Sequence, residues 1–108
     1  MAAVTPGELE KMMESYAVNR WLGYKLKAKE HPTTVDGSKS YDHSMSAENV
    51  LDDLTDARTC FNGKVWSEYV DSALDKFTAA GASQAATLGL DHPSGGDVAL
   101  LRLELMEI

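Results

Sequence analysis

Apolar residues recur at helical spacing in three stretches of this chain and switch to strict alternation in a fourth. In the first, Leu9, Met13, Tyr16, Ala17 and Tyr24 fall on one helical face. Thr5 stands where an N-cap is needed, Pro6 takes the first helical position, and Glu8 follows three residues after the cap, the arrangement of a capping box. Lys27, Lys29 and His31 suit the negative pole of the macrodipole, and Pro32 stops the helix. Gly23 costs about 1 kcal/mol relative to Ala inside a helix, so a bend or a second short segment is expected near it.

The second stretch opens at Ser46, with Glu48 in its first turn and Val50, Leu51, Leu54, Ala57 and Phe61 on a shared face. Asn62-Gly63 reads as its left-handed exit. Lys64 then starts a third helix in which Trp66, Tyr69, Val70, Ala73, Leu74 and Phe77 lie on one side, and Gly81 is expected to end it. Residues 82–88 supply at most one more short turn. So short a connection predicts an antiparallel or steeply angled helical hairpin, 46–62 with 64–80, packed on itself or jointly on the N-terminal helix. The expected core is Trp66, Val70, Leu74 and Phe77 against Val50, Leu54 and Phe61.

Between these elements lie a polar loop, 32–45, and a loop, 89–97, containing His92-Pro93-Ser94-Gly95-Gly96. Asp36-Gly37 sits as it would in a two-residue hairpin turn. In the tail, Leu101-Arg102-Leu103-Glu104-Leu105 alternates with strand period although its residues are good helix formers. Periodicity reports burial, so residues 98–108 are expected as a strand that takes its ladder partner from 33–41 or from a second molecule. The fold class is therefore mainly α, an α+β domain over 1–108 with a small β element, and the alternative is an all-α fold with a C-terminal helix.

Composition adds an electrical asymmetry. Seventeen Asp and Glu against ten Lys and Arg give a net charge of −7, which disfavours direct binding to nucleic acid or anionic membranes and favours a basic protein partner. Arg20, Lys25, Lys27 and Lys29 cluster without an intervening acid, and Asp42, Glu48, Asp52, Asp53 and Asp56 follow without a base. No stretch is apolar enough to span a bilayer, and the N-terminus lacks the pattern of a secretory signal. The single Cys60 forms no intrachain disulfide, which fits a reducing, cytoplasmic setting, and its place beside Phe61 predicts semi-buried packing.

Chemistry-bearing motifs are weak. Asp36, Ser38, Ser40 and Asp42 place oxygens at alternate positions, but Tyr41 stands where a calcium loop needs glycine and Ala47 where it needs a bidentate carboxylate. His31, His43 and His92 share no helical face, and Ser94-Gly95-Gly96 lacks the lysine of a phosphate loop. No cofactor and no metal site is expected. A small enzyme with an intersubunit pocket is the rival reading, and Arg20, Trp21, Tyr24 and His43 are the group that would line it.

The most distinctive pattern is two rows of carboxylates, Glu48, Asp52 and Asp56 on one helix and Glu68, Asp71 and Asp75 on the next. Like charges at that spacing destabilise an isolated helix by about a few tenths of a kcal/mol per pair, so either packing holds these helices or a partner uses the charge. Met12, Met13, Tyr16, Trp21 and Tyr24 spread around more of the first helix than one stripe requires, with Arg20 adjacent to Trp21. These features together predict a non-enzymatic interaction or assembly protein that self-associates through its first helix or C-terminal strand. An acidic nucleic-acid mimic, of the kind that phages or mobile elements use to block a basic protein, is the alternative.

Overall fold

A computed structural model describes residues 4–29 and 43–108. Among these residues there are four α-helices, one 3-10 turn and no strand: α1 (Pro6–Lys29), α2 (His43–Ala57), the turn Arg58–Cys60, α3 (Gly63–Leu88) and α4 (Gly95–Met106). The domain is thus mainly helical, as expected, with the all-α alternative in place of the C-terminal strand. The proposed Asp36-Gly37 turn, the Asp36, Ser38, Ser40 and Asp42 quartet, His31 and the stop at Pro32 lie outside the described residues.

The start of α1 follows its capping signal. Thr5 Oγ1 accepts from the Glu8 amide at 3.2 Å and donates to Glu8 Oε1 at 3.0 Å. The helix then runs unbroken past Gly23, so no second short segment begins there. A Cβ at Gly23 would lie 2.5 Å from Ser44 Oγ, so the absent side chain seats the first turn of α2 against α1. That contact, together with the hydrogen-bonding distance of 3.0 Å between His43 Nδ1 and Asn19 Oδ1, accounts for α2 beginning at His43 rather than at Ser46.

Asn62-Gly63 is the start of α3 and not the exit from α2. The Asn62 side chain accepts from the Val65 amide at 2.9 Å, and the exit from α2 is instead made by the 3-10 turn. Gly81 does not end α3, which continues to Leu88. A Cβ there would meet Pro93 Cγ at 2.7 Å, so the position is glycine because the following loop folds back onto it. The helix ends at Gly89, whose φ of 70° is left-handed, and the Leu90 amide bonds to the Ala85 carbonyl at 2.9 Å.

The tail is helix α4. Ser94 accepts from the Asp97 amide at 3.1 Å while the Asp97 carboxylate accepts from the Ser94 amide at 2.9 Å, a complete capping box that shortens the expected 89–97 loop. Val98, Leu101 and Leu105 face inward at helical spacing, and Leu100, Leu103 and Met106 face outward. Two interleaved apolar sets read along the chain as alternation, which is why the strand expectation fails.

Packing centres on α1. It lies against α2 and α3 extensively and against α4 more lightly, α3 also meets α4, and α2 and α3 make no comparable contact with each other. The expected 46–62/64–80 hairpin is therefore two helices docked jointly on α1. Leu9, Met13, Tyr16, Ala17, Trp21 and Leu22 of α1 are buried together with Leu54, Trp66, Val70, Ala73, Leu74 and Phe77, whereas Val50 and Phe61 are only half-buried. A helix covered on several sides needs apolar residues around most of its circumference, and this is where the excess apolar surface of α1 goes. Trp66 ties α3 to α4 by donating to the Leu105 carbonyl at 2.9 Å.

Candidate functional site

Tyr16, Arg20 and Tyr24 stand on successive turns of α1, so their side chains form one row. Opposite them α4 presents Glu104, whose two oxygens accept from the Tyr16 hydroxyl at 2.7 Å and the Tyr24 hydroxyl at 3.1 Å. Arg20 Nε lies 3.4 Å from the same carboxylate, and its guanidinium sits 4.6 Å from the Tyr24 ring centroid. Burial, and then the hydrogen bond to Glu104, raise the pKa of both phenols, with Tyr16 pushed far above the ordinary tyrosine range. Burial opposes the charge on Arg20, but the facing Tyr24, Tyr16 and Glu104 outweigh it. Both phenols therefore stay protonated and act as donors. The cluster clasps α1 to α4 and presents no phenolate or free base for acid–base chemistry.

This clasp walls a cleft of about 470 Å3 lined by Tyr16, Arg20, Leu51, Thr55, Glu104, Glu107 and Ile108. Leu51 and Thr55 bring in α2, so three helices meet at the cleft. On the α2 surface next to it, Glu48, Asp52 and Asp56 are exposed, and no ion pair to them occurs among the described residues. Glu68, Asp71 and Asp75 are exposed on α3, where Asp71 is paired with Arg102 of α4 at 2.8 Å. The two acidic rows stand on helices that share α1 but not each other, so they form two surfaces rather than one.

A second recess, of about 270 Å3, lies further along the α1/α4 seam between Trp21, Tyr24, Lys25, Asp97, Leu100 and Leu101. Asp97 is held there by the Ser94 amide, by Trp21 Nε1 at 3.1 Å and by Lys25 Nζ at 3.8 Å. Burial works against its charge, but these three partners win and hold the carboxyl below its usual range.

The chain matches no known family model, no curated protein and no solved structure.

Of the side chains singled out from sequence, Arg20 lies in the first cleft, and the two acidic rows are solvent-facing. Trp21 is 2% exposed, packs edge-on to Phe77 with centroids 6.0 Å apart and spends its indole N–H on Asp97, so it is a core residue and not an exposed contact. His43 engages Asn19 and lines neither cleft, which separates it from Arg20 and Tyr24. Cys60 is exposed on the 3-10 turn rather than semi-buried, because α2 ends before its apolar face reaches it. Among the described residues no three His, Cys, Asp or Glu gather as metal ligands, and no helix is long and apolar enough to cross a membrane.

Sequence reasoning missed Glu104, Glu107, Leu51 and Thr55 as cleft residues. The spacing of Tyr16, Arg20 and Tyr24 was a usable signal for one wall. Nothing local linked that wall to Glu104, which is 88 positions from Tyr16.

Proposed function

We propose that this chain is a non-enzymatic docking protein whose α1/α2/α4 cleft receives a basic amphipathic segment of a protein partner. The observation that carries this reading is the coincidence of the cleft with the α2 acids, which make no ion pair among the described residues. Leu51 and Ile108 give the cleft apolar lining, Glu107 stands at its edge, and Glu48, Asp52 and Asp56 lie on the adjoining surface. Apolar side chains of the segment would enter, and its Lys and Arg would stay at the acidic rim. The non-enzymatic part is supported by the state of the polar groups, since both oxygens of Glu104 accept from the Tyr16 and Tyr24 hydroxyls, and Arg20 Nε, buried without a hydrogen bond, is held only by the charge of that carboxylate. Attraction by surface carboxylates acts over about a Debye length, so it speeds encounter more than it holds the complex.

The test is an amide NMR titration with a helical peptide of alternating Leu and Lys faces. Shifts should concentrate at Leu51, Thr55, Glu107 and Ile108, binding should weaken as salt rises, and the triple variant Glu48→Gln, Asp52→Asn, Asp56→Asn should associate more slowly. A peptide with Glu in place of Lys should not bind. Equal binding by both peptides, or shifts confined to another face, would overturn the proposal.

A further inference from the structure

Arg20 is the polar group of the α1/α2/α4 cleft that the fold leaves unfinished. Its Nε atom is buried and makes no hydrogen bond, although Glu104 stands 3.4 Å away. An arginine matched to a carboxylate donates through two parallel N–H groups at about 2.7–2.9 Å. Here the two Glu104 oxygens are taken at 2.7 and 3.1 Å by the Tyr16 and Tyr24 hydroxyls, so the carboxylate is bonded to the phenols and not to the guanidinium. A buried donor left in that state is costly and calls for a reason.

The reason lies in where the guanidinium is held. Arg20 lines the cleft, its Cζ sits 4.6 Å from the Tyr24 ring centroid, and 32% of its side chain is exposed although Nε is not. The polar part of that exposure belongs to the two terminal nitrogens, which can only donate. Stacking on a ring fixes the plane of a guanidinium without using its N–H groups. The cleft wall thus carries a fixed donor pair, and the other polar groups around it are acceptors. These are Glu104, Glu107 and the Thr55 hydroxyl, which spends its proton on the Leu51 carbonyl at 2.8 Å.

We infer that Arg20 is the specificity residue of the cleft and donates to an uncharged carbonyl oxygen of the bound segment, the side-chain amide of a Gln or Asn on its apolar face. This rests on the docking reading above. Charge decides between a neutral acceptor and an anionic one. The lining sets one cation, Arg20, against two carboxylates, Glu104 and Glu107, with further acids on the adjoining α2 surface, so an entering carboxylate is repelled where an amide oxygen is not. An amide also answers the rest of the lining, because its NH2 group donates to the acceptors around Arg20. A wholly apolar segment would cover the terminal nitrogens without giving them an acceptor, and a site built to bond a polar group rejects the analogue that lacks it.

Calorimetric titration of the intact chain tests this with helical peptides of equal Lys content, in which each Leu of the apolar face is replaced in turn by Gln or by Glu. Gln at one position should bind about 10-fold tighter than Gln at the others, and Glu at that position should bind more weakly than Gln. In Arg20→Met, which keeps an apolar stem beside Tyr24 and removes the donors, the advantage of that Gln position should vanish while the all-Leu peptide still binds. Circular dichroism checks that the variant is folded, and the peptide comparison on the wild type needs no variant. Equal binding at all Gln positions, Glu binding as tightly as Gln, or an advantage that survives in Arg20→Met would overturn the inference and leave the docking reading standing. Failure of every peptide to bind, the all-Leu one included, would overturn both.

Discussion

Helices α1 and α4 share a property that separates them from α2 and α3: neither has a single apolar stripe. The physical reasons are opposite. In α1 the apolar residues go around the helix because α2, α3 and α4 cover it on several sides, so Leu9, Met13, Ala17, Trp21 and Leu22 all end buried. In α4 only one side is covered, by Leu101 and Leu105 against α3 and α1, and the second apolar set is left facing outward. Diffuse hydrophobicity along a helix thus has two meanings. It marks either the centre of a bundle or a helix covered on one side only, and only the packing of the neighbours distinguishes them.

The comparison breaks most visibly in stability. Trp21→Ala in α1 removes a side chain packed on Phe77 and bonded to Asp97, and should cost about 3–5 kcal/mol. Leu103→Ala should change stability by no more than about 0.5 kcal/mol, because its side chain touches water rather than core. Chemical denaturation of both variants side by side checks this. Similar losses for the two would mean that the outer face of α4 is already covered within one chain.

Local signals made much of this fold legible. The α3 stripe of Trp66, Val70, Ala73, Leu74 and Phe77 is buried as its spacing predicts, because α1 and α4 cover the same face and the periodicity records it directly. Thr5 and Glu8 mark the start of α1 for the same local reason. What escaped is tertiary in origin. Gly81 looks like a terminator until Pro93 is seen lying against it, and Trp21 looks like a surface anchor until Asp97 and Phe77 are in place around it. The acidic rows were legible as exposed faces, but their separation onto two surfaces follows from α1 lying between the helices that carry them, which no periodicity encodes.

The tail is the instructive intermediate case, since a local signal for its helix was present in Ser94 and Asp97 and was outweighed by alternation. Substitution sharpens how much that signal contributes. Ser94→Ala removes the acceptor for the Asp97 amide and should cost about 1 kcal/mol. Because Leu101 and Leu105 dock only when α4 is wound, amide hydrogen exchange should rise first over 95–100 and less at Leu105. A variant as stable as the wild type, with unchanged exchange, would show that packing alone winds this helix.

The polar clasp between the two helices gives a smaller loss than the cap and a more specific one. Tyr16→Phe deletes one donor to Glu104 while leaving Tyr24 and Arg20 in place and keeping the buried ring, so at neutral pH it should cost about 0.5–1 kcal/mol. Alkaline pH separates the two proteins further. The Tyr16 phenol is raised in the folded chain above its ordinary value of 10.0, first by burial and then by its bond to Glu104, so folding favours the protonated form. Its contribution is complete below pH 10.0 and is lost as pH rises past that value, because the unfolded chain then releases a proton that the folded chain retains. Wild-type stability should fall through this range, and the Phe variant, with no proton to release there, should fall less. Parallel decline of the two would mean that Tyr16 ionises as freely in the folded protein as in the unfolded chain, and that the clasp does not hold α4 to α1.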